Sequence, residues 1–430
     1  MMNKSVWLSI LSGVMLGACS VVAADNAVPA DYQQWLSDLK DEMSARGISQ
    51  STLDKAFAKN YYHPQHQVIK HDRKQNEFVL RPSEYLSRVV APVRVKQGRQ
   101  HYAELRGQYP QGVSGVPLRY LVAFWGIETN FGANKGGYNA IEALTVLSYD
   151  RRRPKFFREE LYHALKILDE GHISFENMES SWAGAMGHFQ FMPSTFQSYG
   201  QDGDNDGKID IWNDFPDALS SAANYLSKMG WDNRLPWGKP VTLSWNFDYA
   251  QSGRHYRQTV AAWKKAGVQL SDKSIADNAE AALILPEGHR GQAYLVFDNF
   301  NIIMRWNRSE NYALAVGLLA DRVQNNALQN IKGNGNVYRL KNQDILKVQQ
   351  FINQRHIAKI GTDGYLGGET RKAVQKLQQK FKLPADGYPD DRLLERIDNY
   401  EQNGYAAPVP ARKLHRGKQA SLRSRKKSIN

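Results

Sequence analysis

Between about Tyr32 and Val323 apolar residues recur at three- and four-residue steps, as at Trp35, Leu36, Leu39 and Met43 and again at Leu161, Leu165 and Leu168. Strand-like alternation is rare, so the pattern predicts a mainly α-helical body. Its most regular stretch runs from Val116 to Gly132. Proline is accepted at a helix start and glycine suits a helix end, so Pro117 and Gly132 bracket one helix of about four turns. Leu118, Leu121, Val122 and Trp125 form its buried stripe, and Glu128 continues that stripe. A carboxylate at the end of an apolar face is either paired with a cation or partly desolvated with a raised pKa. The second state suits a general acid, and periodicity alone leaves both open.

The glycine-rich stretch Lys332-Gly333-Asn334-Gly335-Asn336 separates this body from a shorter segment, about Val337 to Tyr400. Helical spacing returns there at Ile345, Val348, Phe351 and Ile352, then at Ala373, Val374, Leu377 and Phe381, which reads as a small three-helix module. The turns Asp363-Gly364-Tyr365 and Asp386-Gly387-Tyr388 form a weak internal repeat. From 401 the chain has nothing to bury and is predicted disordered. Its last twenty residues hold eight basic side chains and no acid, an electrostatic tether or a solvated terminus.

Lys4, the apolar run Val6 to Leu16 and the small residues after it read as an export signal over residues 1–24, too short to span a bilayer. Two cuts fit. Leu16-Gly17-Ala18-Cys19 has the form of a lipobox, with the chain's single cysteine as the lipidated N-terminus and an outer-membrane anchor; Val22-Ala23-Ala24 suits ordinary cleavage to a soluble periplasmic protein. At 430 residues, 42% hydrophobic and 11% aromatic, the chain has room for two packed domains, which rules out disorder throughout. The formal charge of +13 falls to +5 without the eight basic residues of the tail, so the body does not call for nucleic acid. One cysteine also means no internal disulfide.

Asp202-Gly203-Asp204-Asn205-Asp206-Gly207-Lys208-Ile209-Asp210 follows the calcium-loop template, with Asp202, Asp204, Asp206 and Asp210 as oxygen donors and Lys208 at the carbonyl position. The twelfth position is Asn213 where a bidentate glutamate is wanted, so the expectation is a weak structural calcium site. The alternative is an aspartate-rich turn capping a helix that begins near Pro216.

Five long motifs in order, GIETNFG, LTVLSYDRRR, SSWAGAMGHFQFMPSTFQSYG, PDALSSAANYLSKMGW and RWNRSENYALAVGLLADRV, resemble the lytic murein transglycosylase B family, as does Asp72 to Phe78 upstream. DGYLGGETRKAVQKLQQKF followed by LPADGYPDD resembles a peptidoglycan-binding module. The resemblance implies a lysozyme-like catalytic body over 29–330, a binding module over 337–400, and a monomer acting on peptidoglycan glycan strands without a required cofactor. Carried onto these residues, it implies Glu128 as catalytic acid and base. Ser181 and Gln190 then lie beside the N-acetylmuramic acid ring, Arg152 and Arg153 face the substrate's carboxylate or peptide side, and Tyr225, Trp306, Asn307 and Tyr312 line the glycan path. Trp306 stands where the pattern has tyrosine, keeping an aromatic face and losing a hydroxyl. The implied reaction needs no second carboxylate: the substrate's acetamido oxygen assists, and the C6 hydroxyl closes on C1 as a 1,6-anhydro ring. A hydrolytic muramidase and a non-catalytic wall-binding scaffold are the alternatives.

Overall fold

The computed structural model describes residues 30–59, 61, 68–69, 80–325 and 337–404. The expected export signal with Cys19, the Asp72–Phe78 motif, the glycine-rich linker and the basic tail lie outside the described residues. The chain divides into two compact units, Met1–Pro64 and Gln65–Asn430.

In the first unit, α1 (Ala30–Ala45) and α2 (Gln50–Ala56) bury Leu39, Met43, Leu53 and Ala56. Ser49 caps α2, its side-chain oxygen accepting from the Thr52 N–H at 3.3 Å.

The second unit opens with α3 (Pro82–Val89), α4 (Pro92–Leu105), α5 (Leu118–Thr129), α6 (Ala140–Tyr149), α7 (Pro154–Asp169), α8 (Pro193–Tyr199) and α9 (Phe215–Lys228). Proline lies in the first turn of α3, α4, α7, α8 and α9, where its missing N–H removes no helical bond. The predicted four-turn helix is α5. It is buried almost all round, not on one stripe alone, because α4, α9 and α12 (Glu310–Gln324) pack against it. Asn130, Phe131 and Gly132 follow with φ of 52°, 59° and 80°, so the chain leaves α5 through three left-handed residues. Gly126 has to be glycine here, since a Cβ would come 2.6 Å from the Phe131 ring.

The helical body also holds a sheet that the hydropathy pattern does not predict. Strands β3 (Gly238–Leu243), β4 (Arg257–Thr259), β5 (Val268–Gln269), β6 (Glu280–Ile284) and β7 (Ala293–Val296) pair antiparallel in the order β4-β6-β7-β3-β5. All four residues of β7 and four of five in β6 are buried, so no polar face marks them as strands. A two-residue pair, β1 (Tyr138–Asn139) with β2 (Glu179–Ser180), lies earlier in the chain. Helix α10 (Val260–Lys265) packs beside the larger sheet, and α11 (Asp298–Trp306) leads into α12.

Helices α13 (Asn342–Gln354), α14 (Gly368–Lys380) and α15 (Asp391–Asn403) form the expected three-helix module around Val348, Phe351, Val374, Leu377, Leu393 and Ile397. It is docked on the body by directional bonds. Arg371 donates to the Pro286 carbonyl at 2.8 Å, Gln375 to the Ser252 carbonyl at 2.9 Å, and the His289 backbone N–H to Asp386 at 2.8 Å.

Candidate active site

Burying α5 on every side fixes where its last turn points, and that turn carries Glu128 at the edge of the core, half-buried. The Tyr312 hydroxyl donates a hydrogen bond to Glu128 Oε1. Tyr312 is itself held by the start of α12, where the Ser309 hydroxyl oxygen accepts its backbone N–H at 3.3 Å. The carboxylate expected to be either cation-paired or desolvated is thus gripped by a hydroxyl in a partly apolar setting.

One turn before Glu128, Phe124 packs against Trp306 with ring centroids 4.6 Å apart and the planes tilted by 40°. Trp306 ends α11 and also meets Phe191 at 5.2 Å and Tyr225 at 5.1 Å, the latter edge-on. Burial raises the pKa of the Tyr225 hydroxyl, as does Tyr199, so it remains an O–H donor near neutral pH. Asn307 is the C-cap of α11 and half-buried.

Ser181 and Gln190 sit in the segment after β2, which bridges Ser180 to Met186 and Met186 to Phe191. Gln190 takes a φ of 52° and spends its amide hydrogens on the Lys135 and Gly187 carbonyls, at 2.9 and 3.1 Å. Its carbonyl is left as the acceptor. The Ser181 hydroxyl oxygen accepts from the Ala183 and Ala185 N–H groups at 3.3 and 3.1 Å, which keeps its hydrogen for donation. The structure therefore joins Glu128 to Tyr312 directly, and Trp306 to Tyr225 directly. Arg152 and Arg153 are instead exposed on the turn between α6 and α7, with the Arg153 guanidinium 5.0 Å from the Phe157 ring centre.

Residues 31–321 match the family model described as the transglycosylase SLT domain. The chain belongs to that family. Residues 341–397 match the model of a peptidoglycan binding domain. Membrane-bound lytic murein transglycosylase B of Escherichia coli (strain K12) is 30% identical over 244 residues, covering 56% of this chain and 66% of that protein, just under two thirds of its length. SltB3 from Pseudomonas aeruginosa, solved in complex with NAG-anhNAM-pentapeptide, is 38% identical with a TM-score of 0.77, covering 85% of this chain and 99% of that one. Escherichia coli Slt35, solved in complex with calcium, is 26% identical with a TM-score of 0.58, covering 68% and 94%. The expected family, enzyme class and mainly helical fold are those found.

Within this member of the family, sequence reasoning passed over His188. The Trp125 indole N–H donates to His188 Nδ1 at 3.0 Å, and the Thr129 hydroxyl donates to the His188 carbonyl at 2.8 Å. His188 thereby ties the last turn of α5 to the strand-like segment that carries Gln190. Burial, and then the charge of Lys135, lowers its pKa to about 4, so the ring is neutral and accepts at Nδ1. The only sequence signal was its place between two quoted motif residues, since Trp125 lies 63 residues away.

The acidic loop differs from the template. Carboxylate oxygens of Asp202, Asp204 and Asp217 gather within 4.8 Å of one another; Asp206 and Asp210 are not in that group. Asp210 accepts from the Trp212 and Asn213 backbone N–H groups, both at 2.9 Å, which closes a turn, while the N-cap of α9 is Asp214, accepting the Asp217 N–H at 3.0 Å. Asp206 accepts from the Lys208 N–H at 2.8 Å. Asp217, in the first turn of α9 and 1% exposed, accepts from the Gly203 and Asp210 N–H groups at 2.6 and 2.7 Å. Burial is the main force pushing its carboxyl upward, and the charges of Asp214 and Asp204 add to it.

Proposed function

We propose that this chain is a lytic transglycosylase of the bacterial cell wall, cutting the β-1,4 bond between N-acetylmuramic acid and N-acetylglucosamine with Glu128 as its acid and base. The observation that carries the reading is the Tyr312 hydroxyl bound to Glu128 Oε1 beside the ring cluster around Trp306. Holding one oxygen fixes the carboxyl plane, and a hydroxyl donor stabilises the anion that remains after the proton has gone.

Glu128 protonates the glycosidic oxygen as the C1–O bond breaks, and the muramic acid's acetamido oxygen bonds to C1 in place of a protein nucleophile. The Glu128 carboxylate then takes the C6 hydroxyl proton. O6 displaces the acetamido oxygen at C1, closing the 1,6-anhydro ring and returning Glu128 to its acid form. No water enters. A relative 38% identical was crystallised with NAG-anhNAM-pentapeptide, which fits this outcome. Aromatic faces suit the C–H surfaces of sugars, so Trp306, Tyr225 and Tyr312 serve as liners, with Asn307, Ser181 and Gln190 as polar contacts and Arg152 and Arg153 on the peptide side.

The test is mass spectrometry of muropeptides released from purified sacculi. Anhydro ends, lighter by one water than reducing ends, are expected from the wild type and none from Glu128→Gln. Reducing ends would instead establish a hydrolytic muramidase, and equal release by both proteins would leave a binding scaffold. We also place the mature monomer in the periplasm, anchored at the outer membrane through Cys19 or soluble after cleavage at Ala24; the intact mass of the mature N-terminus distinguishes the two.

A second reading concerns calcium. Three carboxylates crowded together, one of them buried, form a set of hard oxygen donors that a divalent ion would relieve of mutual repulsion. Asp202, Asp204 and Asp217 would hold the ion, which would supply structure by pinning the loop to α9. A rise in melting temperature on adding calcium to chelator-treated protein, absent in Asp217→Asn, supports this; no rise excludes it.

A further inference from the structure

The wall-binding module contains its own internal reference. Gln349 of α13 and Gln378 of α14 are buried, and each clamps the Asp-Gly-Tyr turn that follows with the same bonds. Gln349 Nε2 donates to Asp363 Oδ1 at 2.8 Å and to the Tyr365 carbonyl at 3.0 Å, while its oxygen accepts the Gly364 N–H at 2.8 Å. Gln378 makes the matching bonds to Asp386 Oδ1, the Tyr388 carbonyl and the Gly387 N–H at 2.8, 3.0 and 2.8 Å. Gly364 and Gly387 share a φ of 74°. The two turns are structural copies, and each leads four residues after its aspartate to the N-cap of a helix.

They differ at that cap. At the start of α15 stands Asp390, whose carboxylate accepts the Leu393 N–H at 3.2 Å and lies between Arg392 at 2.9 Å and Arg290 at 3.4 Å. At the start of α14 stands Gly367, without a side-chain cap. A cavity of about 160 Å³ opens there, lined by Gly367 and Arg371 of the module and by Arg81, Arg254, Arg308 and Glu310 of the body. Of these, Arg371 donates to the Leu285 and Pro286 carbonyls at 3.3 and 2.8 Å, and Arg254 engages Glu310 at 2.9 Å. Arg308, which is exposed, has no hydrogen-bond or ion-pair partner among the described residues. Arg81 pairs with Glu84 at 3.1 Å. Crowded guanidinium groups are stabilised when a planar anion bridges them.

We infer that this cavity binds a free carboxylate of the peptide stem carried by the muramic acid, in the position that the Asp390 carboxylate fills in the other copy. The identity of the ligand rests on the proposed transglycosylase reading; the anion-binding chemistry does not. Arg308 and Glu310 lie four and two residues before Tyr312, so the cavity and the partner of Glu128 share one helix start.

Titration calorimetry on the full chain with a free acidic stem tetrapeptide, bearing no sugar, tests this. The wild type should bind it, and the same peptide with its carboxylates amidated should bind at least about tenfold more weakly. Gly367→Asp installs a tethered carboxylate where the chain has open space and a φ of −75°, so the fold should tolerate it and α14 should gain a cap. That variant should lose peptide affinity about tenfold with an unchanged or higher melting temperature. Equal binding of acidic and amidated peptides, no binding of the acidic peptide by the wild type, or full affinity in a folded Gly367→Asp protein would each overturn the assignment. None of these outcomes bears on whether anhydro ends are formed, which the muropeptide experiment reads separately.

Discussion

Carboxylates occur in two contrasting settings in this protein. Glu128 lies half-buried in the last turn of α5, one turn after Phe124, and accepts from the Tyr312 hydroxyl. Asp202, Asp204 and Asp217 are three acids on a loop and the helix after it, close together and satisfied by backbone N–H groups. On the proposed readings the same functional group serves proton transfer in one place and a cation in the other. What differs is the company: a hydroxyl partner and a half-buried place suit a group that cycles between charged and neutral, whereas crowding among like charges favours a positive ion.

The contrast breaks most sharply at Glu128. Glu128→Gln keeps shape and hydrogen-bonding capacity but cannot cycle a proton, so turnover of sacculi should fall on the order of a thousandfold with the melting temperature unchanged. Tyr312→Phe leaves the acid in place and removes its hydroxyl donor; a hydrogen bond to a charged group of about 1.5–3 kcal/mol gives a loss of roughly ten- to a hundredfold in kcat. At the other site the readout is stability instead of rate: Asp217→Asn should abolish the calcium-induced rise in melting temperature while kcat stays within about twofold.

His188 sharpens the comparison through pH. Its folded pKa of about 4 lies below the ordinary value of 6.5, so the stability it contributes is complete above 6.5 and is lost as pH falls toward and through 4. Melting curves at pH 7 and pH 4.5 should therefore converge in His188→Gln relative to the wild type. Trp306→Tyr restores the residue expected from the family pattern and should change kcat/KM by less than about fivefold, the smallest effect of the set.

Much of the helix that carries Glu128 was legible in the sequence, because Pro117, the apolar stripe and the glycine after it are local signals. Glu128 stood out as a carboxylate on that stripe, and only the long motifs gave it a role. What distant parts of the chain bring together was not legible. The Tyr312 hydroxyl reaches Glu128 across 184 residues, and Trp125 reaches His188 across 63. Asp217 was missed for another reason: the calcium template ends at its twelfth position, so Asn213 drew attention while the buried acid lay four residues further on, inside the next helix. The sheet escaped because strands covered on both faces lose their alternation.

The three directional bonds from Arg371, Gln375 and Asp386 to the body mean that the module is no free-swinging grapple. A hinged anchor samples many offsets from its anchorage, and its benefit is a local concentration set by tether length. A riveted one offers a single offset, so that wherever the module grips the mesh, the cutting edge arrives at one set stride from that hold.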